Sequence, residues 1–279
     1  IQVDTSQVSR IIINTKPPAS EEITLQREGT GWIASSGSVN TKATSAAIQA
    51  LLSNIRLIQT KYIAANSEEK WADYEVNEGQ GTRIQIFDGE TLLEDFISGR
   101  FAFDQQAQTG TSYIRLSSGK EVYAVDGFQT LTLGQGFNSY RDRMLTNTPP
   151  STVFQELTIQ QADNSLTFSK GPNGWTFEDQ LLDSMKVEDY LHQFTNLRGE
   201  TFADDFDELA AANFRFGQIS LKGPQTPEGL SIDIYRDTTR TNPFVFQSSQ
   251  KPETWFDSDS TGLFQQLVKG LPDFLPSTE

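Results

Sequence analysis

Hydrophobic and polar positions follow the same order in the two halves of the chain, which predicts an internal repeat. An alternating strand opens each half, at residues 8–14 and 153–160, and a second short strand then leads to a Gly-Trp turn. The turns contain Trp32 and Trp175, and the spacing between matching positions decreases steadily downstream. Small deletions in a duplicated segment produce such a decrease. We therefore expect structural roles for both tryptophans.

One amphipathic helix is predicted in each half, over residues 42–59 and 185–198. The apolar residues recur at the spacing of a single helix face: Ile48, Leu51, Leu52, Ile55 and Ile58 in the first, and Val187, Tyr190, Leu191, Phe194 and Leu197 in the second. The candidate N-caps are Thr41 or Thr44 and Asp183 or Ser184. Helices with one apolar face pack on a sheet.

The rest of each half reads as about four strands in hairpins and a short helix. A doubly wound α/β sheet needs a helix after nearly every strand, and the pattern lacks those helices. The sequence therefore predicts an α+β protein, a tandem repeat of two similar domains, each a mostly antiparallel sheet with one main amphipathic helix. The predicted domains are residues 1–147 and 153–279, joined by a short proline-containing linker at 148–152.

The composition excludes several classes of function. With 22 basic and 37 acidic residues, the chain has a net charge of −15, which repels phosphate backbones, so we expect no nucleic-acid partner. There is no cysteine, which excludes disulfides and thiolate ligands. The single histidine, His192, lies on the polar flank of the second helix, and we expect a surface residue there. No cofactor is predicted.

No apolar run approaches the ~20 residues that a membrane span requires. The chain begins at Ile1 rather than at a methionine. We therefore expect this fragment not to span a membrane, and any signal peptide or anchor to have preceded Ile1.

Two acidic groups are weak candidates for a cation site. One precedes an alanine-rich stretch and consists of Glu200, Asp204, Asp205, Asp207 and Glu208. The other, Asp257 and Asp259, resembles the start of a calcium loop, but Val268 occupies the position of the bidentate glutamate. We favour structural roles for both groups, an acid-capped helix for the first and a turn with a helix cap for the second.

Aromatic residues are the candidates for interaction with a ligand. Trp71, Tyr74 and Trp255 are positioned to stack on sugar rings or to contact a partner, although core packing is the default for each. Hydrolysis of a sugar by a pair of carboxylates also stays open. A chain with 37 acidic residues offers too many possible pairs for the sequence to select one.

The segment from Tyr140 to Leu145 ends the first half. On a helix Tyr140 and Met144 share a face, so the charged residues between them, Arg141, Asp142 and Arg143, are predicted to anchor the segment locally. Residues 271–275 are interpreted as its counterpart, with Asp273 retained and both arginines lost.

Several segments of the first half together resemble a known family. They are Asp4 to Ile13, the turn at 31–32, the helix ending near Leu57, the strands around Tyr113 to Tyr123 and the segment Tyr140 to Leu145. Their order resembles the uncharacterised bacterial family domain of unknown function 4340, over most of residues 1–146, with the second half as a diverged copy. The resemblance implies an envelope protein with a hydrophobic segment just before this domain, often beside ABC-transporter or gliding-type gene clusters. It implies no catalytic residues.

Three functions remain open. The first is a non-enzymatic, periplasmic or extracytoplasmic module of the cell envelope that contacts a protein partner or acts as a spacer. The second is a carbohydrate- or peptide-binding module that uses the cleft between the halves, and the third is a hydrolase with a carboxylate pair. An exposed sheet edge or apolar patch favours the first, an aromatic stripe the second and two close carboxylates the third.

Overall fold

A computed structural model describes residues 1–162 and 164–276, except for the side chain of Gln129. The chain divides into two compact units, Ile1–Asp142 and Arg143–Glu279. This division lies before the predicted linker at 148–152. Backbone hydrogen bonds explain the difference, because the amide of Leu145 donates to the carbonyl of Leu197 at 2.8 Å and that of Thr148 to Thr195 at 3.3 Å. The start of the predicted linker therefore already belongs to the second unit.

The first unit is a nine-stranded sheet in which every neighbouring pair is antiparallel. Its elements are β1 (Arg10–Asn14), β2 (Glu22–Glu28), β3 (Gly31–Ser36), β4 (Val39–Lys42), α1 (Ser45–Arg56), β5 (Thr60–Ala65), β6 (Thr82–Asp88), β7 (Thr91–Asp104), β8 (Thr109–Leu116), β9 (Val122–Asp126) and α2 (Gly127–Thr130). The order across the sheet is β4-β3-β2-β1-β6-β7-β8-β9-β5. The two strands that flank α1 in sequence, β4 and β5, therefore form the opposite edges.

The second unit repeats this topology. Its elements are β10 (Glu156–Gln161), β11 (Asn164–Gly171), β12 (Gly174–Phe177), β13 (Gln180–Leu181), α3 (Ser184–His192), β14 (Thr201–Phe202), β15 (Arg215–Gly223), β16 (Thr226–Arg236), β17 (Phe244–Ser248), β18 (Lys251–Ser258) and α4 (Leu263–Leu267). Its sheet has the order β13-β12-β11-β10-β15-β16-β17-β18-β14, which matches the first strand for strand. The predicted α+β class with two similar antiparallel domains is confirmed.

The two Gly-Trp turns occupy equivalent positions. Trp32 is the second residue of β3 and Trp175 the second residue of β12, and both side chains are buried. A cation from the preceding strand lies over each ring, Arg27 at 5.2 Å from the centroid and Lys170 at 5.8 Å. The repeated Gly-Trp pattern of the sequence thus corresponds to a repeated local structure around the two tryptophans.

The main helices pack on one face of each sheet, where alternating residues of the central strands form the core. In the first unit Ile11 and Ile13 of β1 are fully buried with Leu51 and Ile55 of α1. Both helices are shorter than the predicted 42–59 and 185–198. The first starts late because residue 42 still pairs in β4, and it ends at Arg56 because the next residue is extended.

The helix caps lie among the predicted residues. The hydroxyl of Thr44 accepts a hydrogen bond from the amide of Ala47 at 3.3 Å. The carboxylate of Asp183 accepts from the amides of Met185 and Lys186 at 3.0 and 3.3 Å. Each cap pairs donors that the first helical turn otherwise leaves unsatisfied.

The second face of each sheet carries a smaller cluster under an irregular connection. In the first unit, residues 68–76 place Trp71 and Tyr74 over Val76, Ile97 and Val122. In the second unit, the corresponding segment places Phe206 against Trp255 and Tyr235. Every helix in the described part of the chain is too short or too polar to span a membrane.

The segment Tyr140 to Leu145 is not helical, so the prediction that Tyr140 and Met144 share a helix face is wrong. Its backbone groups bond to other segments instead. The carbonyl of Tyr140 accepts from the amide of Thr44 at 2.9 Å, and Met144 forms an antiparallel bridge with Arg198. The two apolar residues therefore belong to different units.

The interpretation of residues 271–275 was also out of register. The N-cap residue of each main helix donates its amide at 2.9 Å to one carbonyl near the end of its own unit, that of Tyr140 in the first and Phe274 in the second. Phe274 is therefore the counterpart of Tyr140, and Asp273 is not the counterpart of Asp142. Asp273 instead accepts from the amide of Gly270 at 2.8 Å.

Asp95 provides a testable pH dependence in the first unit. Its carboxylate accepts hydrogen bonds from Arg83 at 2.7 and 3.0 Å, from Ser117 at 2.6 Å and from Gln85 at 3.2 Å. Burial raises the pKa of Asp95, but these donors outweigh it and the pKa lies below its ordinary value. The group therefore stabilises the fold above the unfolded-state pKa of about 4, and this contribution is lost as pH falls through the native pKa.

We expect Asp95→Asn to lower the free energy of unfolding by about 1–2 kcal/mol at pH 7, because the charged hydrogen bonds from Arg83 are weakened. The difference from wild type should shrink at pH 3, because below the unfolded-state pKa the ionised carboxylate contributes less to stability. Urea unfolding at the two pH values measures both quantities. An equal difference at pH 7 and pH 3 would contradict the assignment.

Candidate functional site

The acidic residues before the alanine-rich stretch are engaged in local structure. Asp207 caps a 3₁₀ helix at Glu208–Phe214 by accepting from the amides of Leu209 and Ala210 at 3.0 and 3.3 Å. Asp205 pairs with Arg240 at 2.6 Å, and this hydrogen bond holds the pKa of Asp205 below its usual range. Asp204 and Glu200 are not gathered around a common centre with them, since no metal-ligating group of three acids or histidines occurs among the described residues.

Asp257 and Asp259 have separate sets of partners. Asp257 is buried and accepts from Arg240 at 3.2 Å and from Asn242 at 3.1 Å. Asp259 accepts from the amide and hydroxyl of Thr261, both at 2.7 Å, and these hydrogen bonds lower its pKa. Asp259 also accepts from the amide of Gly262 at 3.0 Å, so it holds a turn that leads into α4. Gly262 is the N-cap of α4 and makes no side-chain cap, so the expected helix cap is not formed there.

The three aromatic interaction candidates pack on the second face of their own sheets. The indole of Trp71 donates to the carbonyl of Lys120 at 2.9 Å, and the hydroxyl of Tyr74 donates to Ala64 at 3.2 Å. Trp71 and Tyr74 are half-buried, whereas Trp255 is buried. The structure therefore does not assemble them into an open aromatic stripe.

The charged residues at the end of the first unit differ in burial. Arg141 is buried, donates to the side-chain oxygen of Asn138 at 3.1 Å and lies 5.2 Å from the ring centroid of Phe137. Asp142 and Arg143 are half-buried. His192, the last residue of α3, is exposed.

An exposed aromatic group that the sequence did not single out lies on the first unit. We call Phe101, Phe103 and Phe128 the phenylalanine cluster. Their exposed fractions are 37%, 45% and 51%, and the ring of Phe128 lies edge-on to the other two at 5.9 and 6.0 Å. Phe101 and Phe103 belong to β7, while Phe128 belongs to α2.

The cluster lies where β7 extends beyond the end of its pairing with β6. Strand β6 pairs with β7 only from Thr91 to Ser98, and beyond that point β7 pairs with β8 alone. From Gly99 onward β7 therefore has a neighbour on one side only. Phe101 still lies beside strands β8 and β9, and only Phe103 and Asp104 extend past β9 as a two-stranded arm. Helix α2 begins at the base of the arm, where Asp126 caps it by accepting from the amide of Phe128 at 3.0 Å.

Two glycines allow the rings to pack against the backbone. A Cβ atom at Gly110 would lie 2.6 Å from the Phe101 ring, and one at Gly127 would lie 2.5 Å from it. Any other residue at either position would displace the ring. The sequence signal for the cluster is therefore the Phe-Ala-Phe repeat at 101–103 together with these distant glycines.

The described part of the second unit has no equivalent extension of a strand. Strand β16 pairs with β15 along its length, and the connection to β17 is closed by the amide of Asp237, which donates to the carbonyl of Pro243 at 2.8 Å. The phenylalanine that follows, Phe244, is buried and stacks on Phe264 at 3.7 Å. The topology consequently does not require the exposed phenylalanines.

A groove of about 1000 Å³ adjoins the base of the arm. Its walls are the first residues of the chain, the end of α1 with Arg56 and Leu57, and the start of β5 with Thr60 and Lys61. Asp126 lines the groove and also caps α2, and Lys61 donates to the carbonyl of Gly110 beneath Phe101 at 3.1 Å. The groove, β5 and the phenylalanine cluster therefore form one continuous surface.

The chain matches the sequence profile of a known family. No curated protein and no solved structure matches the chain. The sequence profile of one family matches residues 36–216, which include parts of both units rather than the first alone. Because this range exceeds half of the chain, the protein belongs to the family described as Domain of unknown function (DUF4340).

Proposed function

We propose that the protein is a non-enzymatic module of the bacterial cell envelope that binds another protein through the phenylalanine cluster. The exposed cluster is the observation that carries this proposal. Apolar side chains gathered on a surface lose favourable burial unless a partner covers them, so such patches mark interaction sites. Phenylalanine is also enriched at the centre of protein interfaces.

The comparison of the two units supports the proposal. Both sheets have the same strand order, but among the described residues only β7 of the first continues several residues past its pairing with a neighbouring strand and carries Phe101 and Phe103 there. Gly110 and Gly127 further fit the backbone to the exposed ring of Phe101. A fold that needed only stability would gain from burying these rings, as the second unit does with Phe244.

The envelope location rests on the family resemblance. The proposal also includes a membrane anchor before Ile1 and an accessory role beside an ABC-transporter system, both of which the resemblance implies. Fractionation of cells that produce the full-length protein tests the location, and recovery in the cytosolic fraction would contradict it.

A photo-crosslinking amino acid placed at residue 103 of the full-length protein tests the binding function. We expect a discrete protein adduct in intact cells, because this position lies at the contact surface. The matched control is residue 92, where an exposed leucine lies on a different hairpin of the same sheet. Phe128→Ser should reduce the adduct at least tenfold, which corresponds to about 1.4 kcal/mol of binding free energy.

The position-92 probe should give no such adduct. The proposal is wrong if position 103 yields no protein adduct, or if Phe128→Ser leaves its yield unchanged.

A further inference from the structure

Strand β7 has an unpaired edge at the phenylalanine cluster. From Gly99 onward its pairing with β6 has ended, and β8 is its one partner strand among the described residues. All five residues from Arg100 to Asp104 are exposed. Five residues of strand span about 17 Å. Unpaired backbone groups at such an edge recruit another strand, so the sheet can continue at this stretch.

The second unit does not leave the corresponding edge open. Strand β16 holds the place in its sheet that β7 holds in the first. Its pairing with β15 extends to Tyr235, one residue before the strand ends. The open edge of β7 is therefore a feature of the first unit, as the phenylalanine cluster is.

The side chains of this edge are divided between the two faces of the strand. Phe101 and Phe103 lie on the face that carries α2. Ala102 and Asp104 lie on the opposite face, because neighbours alternate along a strand. The guanidinium of Arg100 also lies on that opposite face, over the tyrosine rings of the second-face cluster. Each face thus carries its own kind of side chain, aromatic on one and charged on the other.

The order of these five residues is self-complementary. In an antiparallel pair of two copies centred on Ala102, each Arg100 stands opposite an Asp104. Each Phe101 stands opposite a Phe103 in the same pair. Directly opposed side chains of antiparallel strands have Cβ atoms about 5 Å apart, and opposite charges or aromatic pairs at that distance stabilise the pairing. Like charges at the two ends would instead have opposed it.

Both charged residues have groups left for this contact. The carboxylate of Asp104 uses Oδ1 for the amides of Gln106 and Ala107 at 2.9 and 3.0 Å, and Oδ2 makes no hydrogen bond within the described part of the chain. Arg100 contacts two rings at 5.3 Å but forms no ion pair with a described residue. A second copy would therefore supply each charge with its counterion.

The net charge of the chain does not outweigh this local match. Of the total of −15, the first unit contributes −5, from 12 basic and 17 acidic residues. Repulsion between exposed charges is screened beyond about 8 Å at physiological ionic strength. The opposed pairs of the edge lie well within that distance.

We propose that the protein bound at the phenylalanine cluster is a second copy of this chain, paired through residues 100–104 in antiparallel register about Ala102. This inference rests on the proposed function, because it names the partner that covers the cluster. The two-fold axis at Ala102 makes the contact isologous, so one surface serves both copies. A contact of five residues on each side is small, and we expect a dimer that forms and dissociates with concentration.

The absence of native cysteine allows a direct test of the register. Ala102→Cys places one thiol on each side of the two-fold axis, and opposed positions of antiparallel strands have the Cα separation that a disulfide requires. Oxidation of the purified chain with copper phenanthroline should give a covalent dimer of two 31.1-kDa chains. Leu92→Cys is the matched control, since Leu92 is exposed on the same strand where β6 still pairs with it. The dimer should form at least about tenfold faster with Ala102→Cys.

Charge reversal provides the second test. Arg100→Asp sets two carboxylates opposite each other at both ends of the pair, and Asp104→Arg sets two guanidinium groups there. Each should raise the Kd of the dimer at least about tenfold in sedimentation equilibrium. An equimolar mixture of the two variants should dimerise again, because opposite charges then face each other at both ends. Lys42→Glu, at an edge of the same sheet far from β7, should change the Kd less than twofold.

Three results would overturn the inference: a purified chain that stays monomeric, equal crosslinking of the two cysteine variants, or a mixture of the charge variants that fails to dimerise. The adduct at residue 103 separates this inference from the proposed function. An adduct with a different protein, together with a monomeric purified chain, leaves the proposed function standing and shows that self-pairing is wrong. If no adduct of any kind forms at residue 103, both are wrong.

Discussion

Replacing Arg115 with methionine should lower the free energy of unfolding of the first unit by about 3 kcal/mol. Only 3% of this residue is exposed. Its guanidinium donates to the carbonyl of Val76 at 3.1 Å and to those of Leu116 and Gly119 at 3.2 and 3.3 Å. The substitution keeps the apolar stem but leaves the buried carbonyl of Val76 and the half-buried carbonyls of Leu116 and Gly119 without their charged donor.

The aromatic contact adds to this effect. The guanidinium carbon of Arg115 lies 3.8 Å from the ring centroid of Trp71, so the side chain holds the irregular segment 68–76 on the second face of the sheet. Arg115→Lys should still cost about 2 kcal/mol, because one ammonium cannot reproduce a planar donor that serves two separate backbone regions.

Arg100→Met is the matched control. Arg100 lies on the same face at 5.3 Å from both Tyr74 and Tyr113, but it is exposed. An exposed cation–π contact contributes about 0.5–1 kcal/mol. Urea unfolding followed by circular dichroism gives each value. A cost below 1 kcal/mol for Arg115→Met would show that the segment is held by apolar contacts alone.

Periodicity predicted the repeated core well, because the core residues obey simple local rules. Ile11 and Ile13 alternate with polar neighbours on β1, and a helix cap such as Thr44 depends on the residues immediately beside it. These signals lie within a few positions of each other along the chain. They are also present in both halves, so each copy supports the interpretation of the other.

The exposed side chains of β5 and the phenylalanine cluster escaped prediction because they depend on long-range pairing. Strand β5 exposes both of its faces near Tyr62 and Ile63, so it shows no alternation of buried and exposed positions. The exposure of Phe101 depends on where the pairing of β6 with β7 ends. The sequence of β7 carries no signal for that position. Phenylalanines in an alternating strand otherwise indicate a core face.

The helical expectation for Tyr140 to Leu145 failed for a related reason. An i, i+4 pair such as Tyr140 and Met144 is compatible with a helix, but the pair says nothing about the backbone groups between and around it. Those groups bond to α1 and to the segment near Arg198, so a helix cannot form there. A pattern of side chains predicts an element only where the backbone has no competing partner.

Trp175→Ala should lower the free energy of unfolding of the second unit by about 3–5 kcal/mol, because it removes a fully buried indole and leaves a cavity. The indole also donates to the carboxylate of Glu188 on α3 at 2.8 Å. Burial raises the pKa of Glu188, but hydrogen bonds from Lys170 and Trp175 outweigh it and the pKa lies below its usual value. Trp175 therefore joins strand β12 to the main helix.

The equivalent tryptophan of the first unit is the control. Trp32 is 8% exposed, and its indole nitrogen makes no hydrogen bond to a described residue, so Trp32→Ala should cost about 1 kcal/mol less. Urea unfolding at pH 7 compares the two variants.

Trp175→Phe separates the contributions of packing and hydrogen bonding, since it keeps an apolar ring and removes the donor to Glu188. If Trp175→Phe is as unstable as Trp175→Ala, the hydrogen bond and the shape of the indole contribute more to stability than the apolar volume of the side chain does. If Trp175→Ala costs less than 1 kcal/mol, the Gly-Trp turn does not stabilise the second unit and its repetition needs another explanation.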